Sequence, residues 1–235
     1  MIRNFLNSPF FGPIVASILI IVFSYLILRF NLDLNVSNYF WHPVDGFSFK
    51  DSLIEFLIYE SINWAVIISF IASLIFLMYS SIASLYVQYK AIVSTYLIAL
   101  LAGPGIIVNA ILKSNWGRPR PIQINNFNGE YQFLEFYQYN FGGFGNSFTS
   151  GHASVPLIFT IFGFYFITNN NRAIGTKILY FSVLLFLLTG LARIMAGGHF
   201  LSDVAWSGYI SYLIAWITYR YYYLPKLTIT DNNKQ

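Results

Sequence analysis

Three short stretches of this chain hold most of the side chains able to do chemistry. The first reads Lys113-Ser-Asn-Trp-Gly-Arg118-Pro-Arg120-Pro121, the second Ser147-Phe-Thr149-Ser150-Gly151-His152, and the third Arg193-Ile-Met-Ala-Gly-Gly-His199-Phe-Leu-Ser-Asp203. Lys113, Arg118, Arg120 and Arg193 supply fixed positive charge. Thr149 or Ser150 can cap a helix beginning at Gly151, whose missing side chain lets a ligand approach, and a helix start of this kind attracts phosphate. His199 and Asp203 have the four-residue spacing of one helical face, so the carboxylate can hold the imidazole tautomer and leave the other ring nitrogen free to attack. His152 adds a second imidazole for acid–base work. Such a set suits phosphoryl transfer, in which charge on the equatorial oxygens must be stabilised and a nucleophile must stand in line. Two histidines and an aspartate also resemble a metal site, but Lys113, Arg120 and Arg193 in the same pocket would repel a cation and welcome an anion. No metal and no cofactor is therefore expected.

The elements that must position these groups follow from composition. Of 235 residues, 57% are hydrophobic and 9% charged, whereas soluble domains carry about 25% charged residues. A net charge of +4, dispersed along the chain, argues against a nucleic-acid surface, and the absence of cysteine removes disulfides, thiolate metal sites and a cysteine nucleophile. A membrane crossing needs roughly 20 apolar helical residues. Six runs approach that length: Phe11 to Phe30, Ile62 to Ser80, Ala91 to Leu112, Gly151 to Thr168, Ile178 to Gly197 and Val204 to Tyr223. They are too long and evenly apolar for barrel strands, so the expected fold is all-α, a six-span transmembrane helix bundle in a single domain over residues 1–235. The polar tail after Leu224 is expected to fray. Gly103-Pro104-Gly105 should bend the third span.

With six crossings, Arg3, Lys90, Arg172, Lys177, Arg220, Lys226 and Lys234 share one side with the termini. Arg29, Lys50, Lys113, Arg118, Arg120 and Arg193 share the other, and four of these fall in the motifs. Setting those four aside leaves seven against two, which by the positive-inside rule puts the termini in the cytoplasm and the motifs outward. Each cluster has an ordinary alternative: a snorkelling cationic cap, a plain helix cap, a structural His–Asp pair. Their shared outer face at the ends of the helices weighs against all three.

The spacing Lys113, six residues, Arg120-Pro121, then Ser150-Gly151-His152, then Arg193, five residues, His199, three residues, Asp203 resembles the type 2 phosphatidic acid phosphatase superfamily of integral membrane lipid phosphatases. The resemblance covers residues 113 to 203 and the span layout. It implies that His199 attacks phosphorus to form a phosphohistidine, that Asp203 orients it, and that His152 protonates the leaving oxygen and then activates water. It also implies that Lys113, Arg120 and Arg193, with backbone N–H groups near Ser150 and Gly151, bind the phosphoryl oxygens. Arg118 is an additional cation, the family's motif arginine corresponding to Arg120. The chain departs from the family at Thr149, commonly Pro, and at Ala192, commonly Ser, where a phosphate hydrogen bond is in question. The run Trp116-Gly-Arg-Pro-Arg-Pro, with Phe127-Asn-Gly and Gly197-Gly-His-Phe-Leu-Ser-Asp, looks most similar to the superfamily's bacterial lipid A phosphatases. That implies a phosphorylated lipid as partner and a bacterial inner membrane with a periplasmic site. Undecaprenyl pyrophosphate and phosphatidylglycerophosphate remain competing substrates. A non-hydrolytic transporter would place charge toward the midplane, often within repeats, and neither is visible; a related vanadate-using oxidase would be soluble.

Outside the motifs, Phe47, Phe49, Leu53, Ile54 and Leu57 are expected to form an interfacial amphipathic helix. Tyr219, Tyr221, Tyr222 and Tyr223 are expected as a boundary belt, and glycines 142, 143 and 145 as a flexible approach to the second cluster. His42, Asp45, Asp51, Glu55, Glu60, Glu130 and Glu135 show no spacing that ties them to chemistry.

Overall fold

The apolar runs fold into helices whose ends carry the three motifs. A computed structural model describes residues 10–82 and 87–226; Arg3, Lys234 and the tail from residue 227 lie outside the described residues. The order is α1 (Phe11–Arg29), α2 (Leu32–Tyr39), a two-stranded antiparallel hairpin of β1 (Trp41–His42) and β2 (Gly46–Phe47), α3 (Leu53–Ile82) and α4 (Val87–Leu100). It continues with α5 (Gly151–Ser154), α6 (Thr160–Thr168), α7 (Arg172–Met195) and α8 (Leu201–Thr218). The fold is all-α apart from the hairpin. Among the described residues five helical stretches are long and apolar enough to cross a membrane: Phe11–Arg29, Leu53–Ser81, Tyr89–Lys113, Gly151–Thr168 and Arg172–Met195. The sixth expected span is helical too, but it is not one of the five. It buries Ser202, Asp203, Ser207 and Ser211 against the rest of the bundle.

Three local expectations change. The segment expected as a separate interfacial helix is split: Phe47 is buried in the hairpin, while Leu53, Ile54 and Leu57 open the long helix α3, which starts nine residues before the expected span. Ser52 explains the start, because its hydroxyl accepts from the Glu55 N–H at 3.1 Å. After Leu100, α4 passes into a π-helical stretch, Leu101–Lys113, that contains Pro104, which has no N–H, and the Asn109 side chain donates to the Pro104 carbonyl at 2.6 Å. The fourth span is likewise interrupted. Short α5 gives way to a 3₁₀ turn, Pro156–Phe159, before α6.

The main apolar core joins Ile92, Tyr96 and Leu100 of α4 to Ile158, Ile161, Ala215, Tyr219 and Tyr223. Tyr219 and Tyr223 thus stack within the core, ring centroids 5.0 Å apart, which leaves the exposed Tyr221 and half-buried Tyr222 for any boundary belt. On the outer faces, by contrast, Ile18, Leu19, Ile21 and Val22 of α1 and Ile68, Ile71, Ile75 and Met78 of α3 are exposed. Apolar surface on that scale is the expected outside of a lipid-facing helix.

Candidate active site

The start of α3, the end of the π-helical stretch, the start of α5, the end of α7 and the approach to α8 converge on one cavity of about 330 Å³ lined by Lys113, Arg120, His152, Arg193, His199, Glu55, Phe56, Tyr59 and Glu60. Five of the eight residues expected in the site therefore share a single cup. The Lys113 ammonium and the Arg120 guanidinium make no hydrogen bond or ion pair with another described residue. Arg193 ends α7, where its guanidinium crosses Gly198 so closely that a Cβ there would collide with Nη2. One of its nitrogens donates to Glu55 at 2.5 Å, yet its Nε is buried with no partner. A buried unpaired N–H is costly, and an anion in the cup would satisfy it. Glu55, which no spacing tied to chemistry, is thus part of the site, and the cup is less purely cationic than expected.

His199 does not share a helix with Asp203. It sits in the turn before α8, almost fully buried, with Nδ1 2.7 Å from the Ser147 carbonyl oxygen and 3.8 Å from the nearer Asp203 oxygen. A carbonyl only accepts, so Nδ1 carries the proton and Nε2 keeps its lone pair. Asp203 acts one step further back: Oδ2 accepts from the Ser147 hydroxyl at 2.5 Å and the Phe200 N–H at 2.8 Å, while Oδ1 accepts from Arg118 at 2.6 Å. The carboxylate fixes the loop whose carbonyl then fixes the imidazole.

Burial pushes the His199 imidazole down to about 4, against the pull of Asp203. The free side chain titrates near 6.5. On acidification the unfolded chain therefore takes up a proton before the folded one does. This contribution to stability is complete above about pH 6.5 and is lost as pH falls toward 4. Thermal unfolding of the detergent-solubilised protein is expected to shift downward across that window, with a shallower slope in His199→Gln.

Ser150 and Gly151 do not line the cup. The Ser150 N–H donates to the Asp203 carbonyl at 3.3 Å, its hydroxyl caps α5 by accepting from the Ala153 N–H at 3.5 Å, and its carbonyl accepts from the Ser207 hydroxyl at 2.6 Å. Those groups tie α5 to α8 and are not available to phosphate. Gly151 faces Asn109, where a Cβ would press on the Asn side chain at 2.6 Å. Thr149 is fully buried with its hydroxyl unpartnered, so Ser150 alone is the cap. Two of the three loop glycines are packed, Gly145 pairing with Gly117 in an antiparallel bridge and Gly143 donating to the Asn140 carbonyl at 3.0 Å, while Gly142 is exposed.

Sequence reasoning named Arg118 only as a cation, missing its partner Asp33, and it missed a row of residues on α3. Arg118 is buried and spans Asp33 at 2.8 Å and Asp203 at 2.6 Å, with its Nε on the Leu134 carbonyl at 2.9 Å. No spacing signal links Asp33 to Arg118, because α2 and the first motif are joined only by folding. Along α3, Glu55, Tyr59 and Asn63 recur every four residues, a helical signal that could have been read. Tyr59 packs on His152 with ring centroids 3.9 Å apart, and Asn63 meets His152 Nε2 at 3.1 Å.

Below the cup lies an apolar groove of about 570 Å³ between α3 and the Leu101–Lys113 stretch, lined by Ile62, Val66, Ile67, Phe70, Leu101 and Gly105 among others. It shares Glu60, Lys113 and His152 with the cup. A charged cup beside an apolar groove suits a molecule with a phosphorylated head and an apolar body.

The chain belongs to the PAP2 superfamily, whose pattern matches residues 92–226, more than half of its length. It is 29% identical over 204 residues to a lipid A 4'-phosphatase of Francisella tularensis subsp. novicida (strain U112), covering 83% of this chain and 88% of the relative. Lipid A 4'-phosphatases of Rhizobium etli and Rhizobium leguminosarum are 38% and 37% identical over 119 and 118 residues. In both alignments the match takes in 49% of this chain and spans less than half of the relative, 44% and 48%. No solved structure matches the chain.

Proposed function

We propose that the protein is a membrane lipid phosphatase that hydrolyses a phosphate monoester from a lipid headgroup, with lipid A as substrate, through a phosphohistidine on His199. The observation that carries this reading is the single cavity lined by both imidazoles and three cations, which shares Glu60, Lys113 and His152 with an apolar groove. The names of the relatives support the lipid.

The site's residues divide the work as follows. Lys113, Arg120 and Arg193 bind the phosphoryl oxygens, and their charge offsets the charge of the transition state. His199 Nε2 attacks phosphorus while the phosphorus–oxygen bond to the lipid breaks, and His152 gives its proton to the departing oxygen. In the second half His152 takes a proton from water, the water oxygen attacks phosphorus, and the phosphorus–nitrogen bond breaks to release inorganic phosphate. Ser150 joins α5 to α8 and Gly151 admits Asn109, while the Gly151 N–H, which opens α5, is left for the phosphoryl oxygens. Cations of the protein occupy the place of a metal, and no nucleic acid is involved.

The chain is further read as one domain crossing a bacterial inner membrane six times, α8 being the sixth crossing. Its termini are cytoplasmic and its cup periplasmic, in keeping with the bias of seven basic residues against two outside the motifs.

Mass spectrometry of membrane lipids with and without the protein tests the reading. Lipid A lighter by one phosphate is expected only when the protein is present. Purified protein should perform the same conversion in EDTA. An unchanged lipid A profile with dephosphorylated undecaprenyl or glycerol lipids would move the substrate to the competing classes, and loss of turnover in EDTA would overturn the metal-free mechanism.

A further inference from the structure

From the contacts of α3 we infer that Asn63 is a positioning residue that fixes which nitrogen of His152 carries the proton in both halves of the reaction. This rests on the acid–base role given to His152 above. Asn63 lies in a helix outside residues 92–226, so nothing in the superfamily match assigns it.

The direction of the hydrogen bonds makes the argument. The Asn63 amide nitrogen donates to a Glu60 carboxylate oxygen at 3.4 Å, and a carboxylate can only accept. The amide oxygen is thereby turned toward His152 Nε2, 3.1 Å away. An amide oxygen is also only an acceptor, so Nε2 carries a hydrogen whether His152 is neutral or charged. The nitrogen that gains and loses a proton is then Nδ1. In the first half the Nδ1 proton passes to the departing alcohol oxygen as its bond to phosphorus breaks. In the second, the emptied Nδ1 lone pair takes a proton from the attacking water. Nε2–H stays on Asn63 throughout. The ring plane is held as well: Tyr59, one turn earlier, lies against the imidazole with an interplanar angle of 33°, and its other neighbour is the Arg193 guanidinium, 5.1 Å from the ring centre. Without the acceptor the imidazole could rotate or change tautomer, and the fraction poised for proton transfer would fall.

The test uses leaving groups that differ in their need for a proton. An alkyl phosphate leaves as a poor alkoxide and needs the acid, whereas 4-nitrophenyl phosphate releases a stable phenolate and does not. Asn63→Leu removes the acceptor at similar volume. For Asn63→Leu, kcat with the alkyl ester is expected to fall about 10- to 100-fold, part of the roughly 10²–10⁴-fold that general acid–base catalysis supplies. The pre-steady-state release of nitrophenolate should change less than about threefold, followed by a slow steady state as phosphoenzyme accumulates. Equal losses with both leaving groups, or no loss in Asn63→Leu, would each overturn the inference. His199→Ala run alongside separates the two readings: it must be silent with both substrates, and activity there would remove the nucleophile assignment whatever Asn63 does.

Discussion

Replacing His199 with alanine is expected to lower phosphate release by roughly 10⁴-fold or more, the scale on which loss of a covalent nucleophile is felt, while leaving the helical fold intact. His152, the other imidazole of the cup, meets Asn63 through its Nε2, and the carboxylates of Glu55 and Glu60 accept from Arg193 and Asn63, so none of them is held and aimed as the Ser147 carbonyl holds His199. The structural cost is the lost hydrogen bond to that carbonyl, left buried and unpaired, about 1–3 kcal/mol. Rapid acid-free quenching with labelled substrate should show a phosphoenzyme in the wild type and none in His199→Ala. In His152→Ala, labelled from an aryl phosphate, it should persist because water is no longer activated. Label that survives in His199→Ala would place the covalent step elsewhere.

Arg118→Ala is expected to be the most destabilising substitution in the site, although Arg118 does not line the cup. The guanidinium is fully buried beneath the Phe200 ring, 4.3 Å from its centre, and bridges two carboxylates. Removing it leaves Asp33 and Asp203 facing each other's charge in an apolar setting. Breaking a buried pair in this way costs about 3–5 kcal/mol, against a total stability of the order of 5–15 kcal/mol. Asp33 retains the Ser202 N–H at 2.8 Å and hydroxyl at 2.6 Å, so Asp33→Asn should be milder. Arg118→Lys should not rescue, since one ammonium cannot reach Asp33, Asp203 and the Leu134 carbonyl together. Activity should fall with stability, because Arg118 holds Asp203, Asp203 holds Ser147, and Ser147 holds His199. Thermal unfolding in detergent measures the first effect and phosphate release the second. A variant that unfolds like the wild type would show that the buried network is not what secures α2 to the motifs.

Much of this was legible in the linear sequence. Helix content follows from long uncharged apolar runs, since a backbone in lipid must satisfy its own hydrogen bonds. The three motifs were legible too, because their residues are close in sequence and their types are rare in so apolar a chain. What the linear pattern could not supply was direction and pairing. His199 and Asp203 read as one helical face, yet the helix begins only at Leu201, and the imidazole is held by a carbonyl 52 residues away. Ser150 and Gly151 read as phosphate ligands, but the Ser150 N–H is taken by the Asp203 carbonyl and the open side of Gly151 is filled by Asn109.

Composition and spacing by themselves determined a helical membrane chain, its cations, its two imidazoles and the chemistry those types permit. Tertiary structure alone decided that Asp33, Glu55, Tyr59, Glu60 and Asn63 belong with them, and that Arg118 is an anchor and not a phosphate ligand. The physical reason is range. Apolar burial and helical hydrogen bonding act between near neighbours in sequence, whereas the orientation of a buried polar group depends on whichever distant donors and acceptors packing brings within about 3 Å.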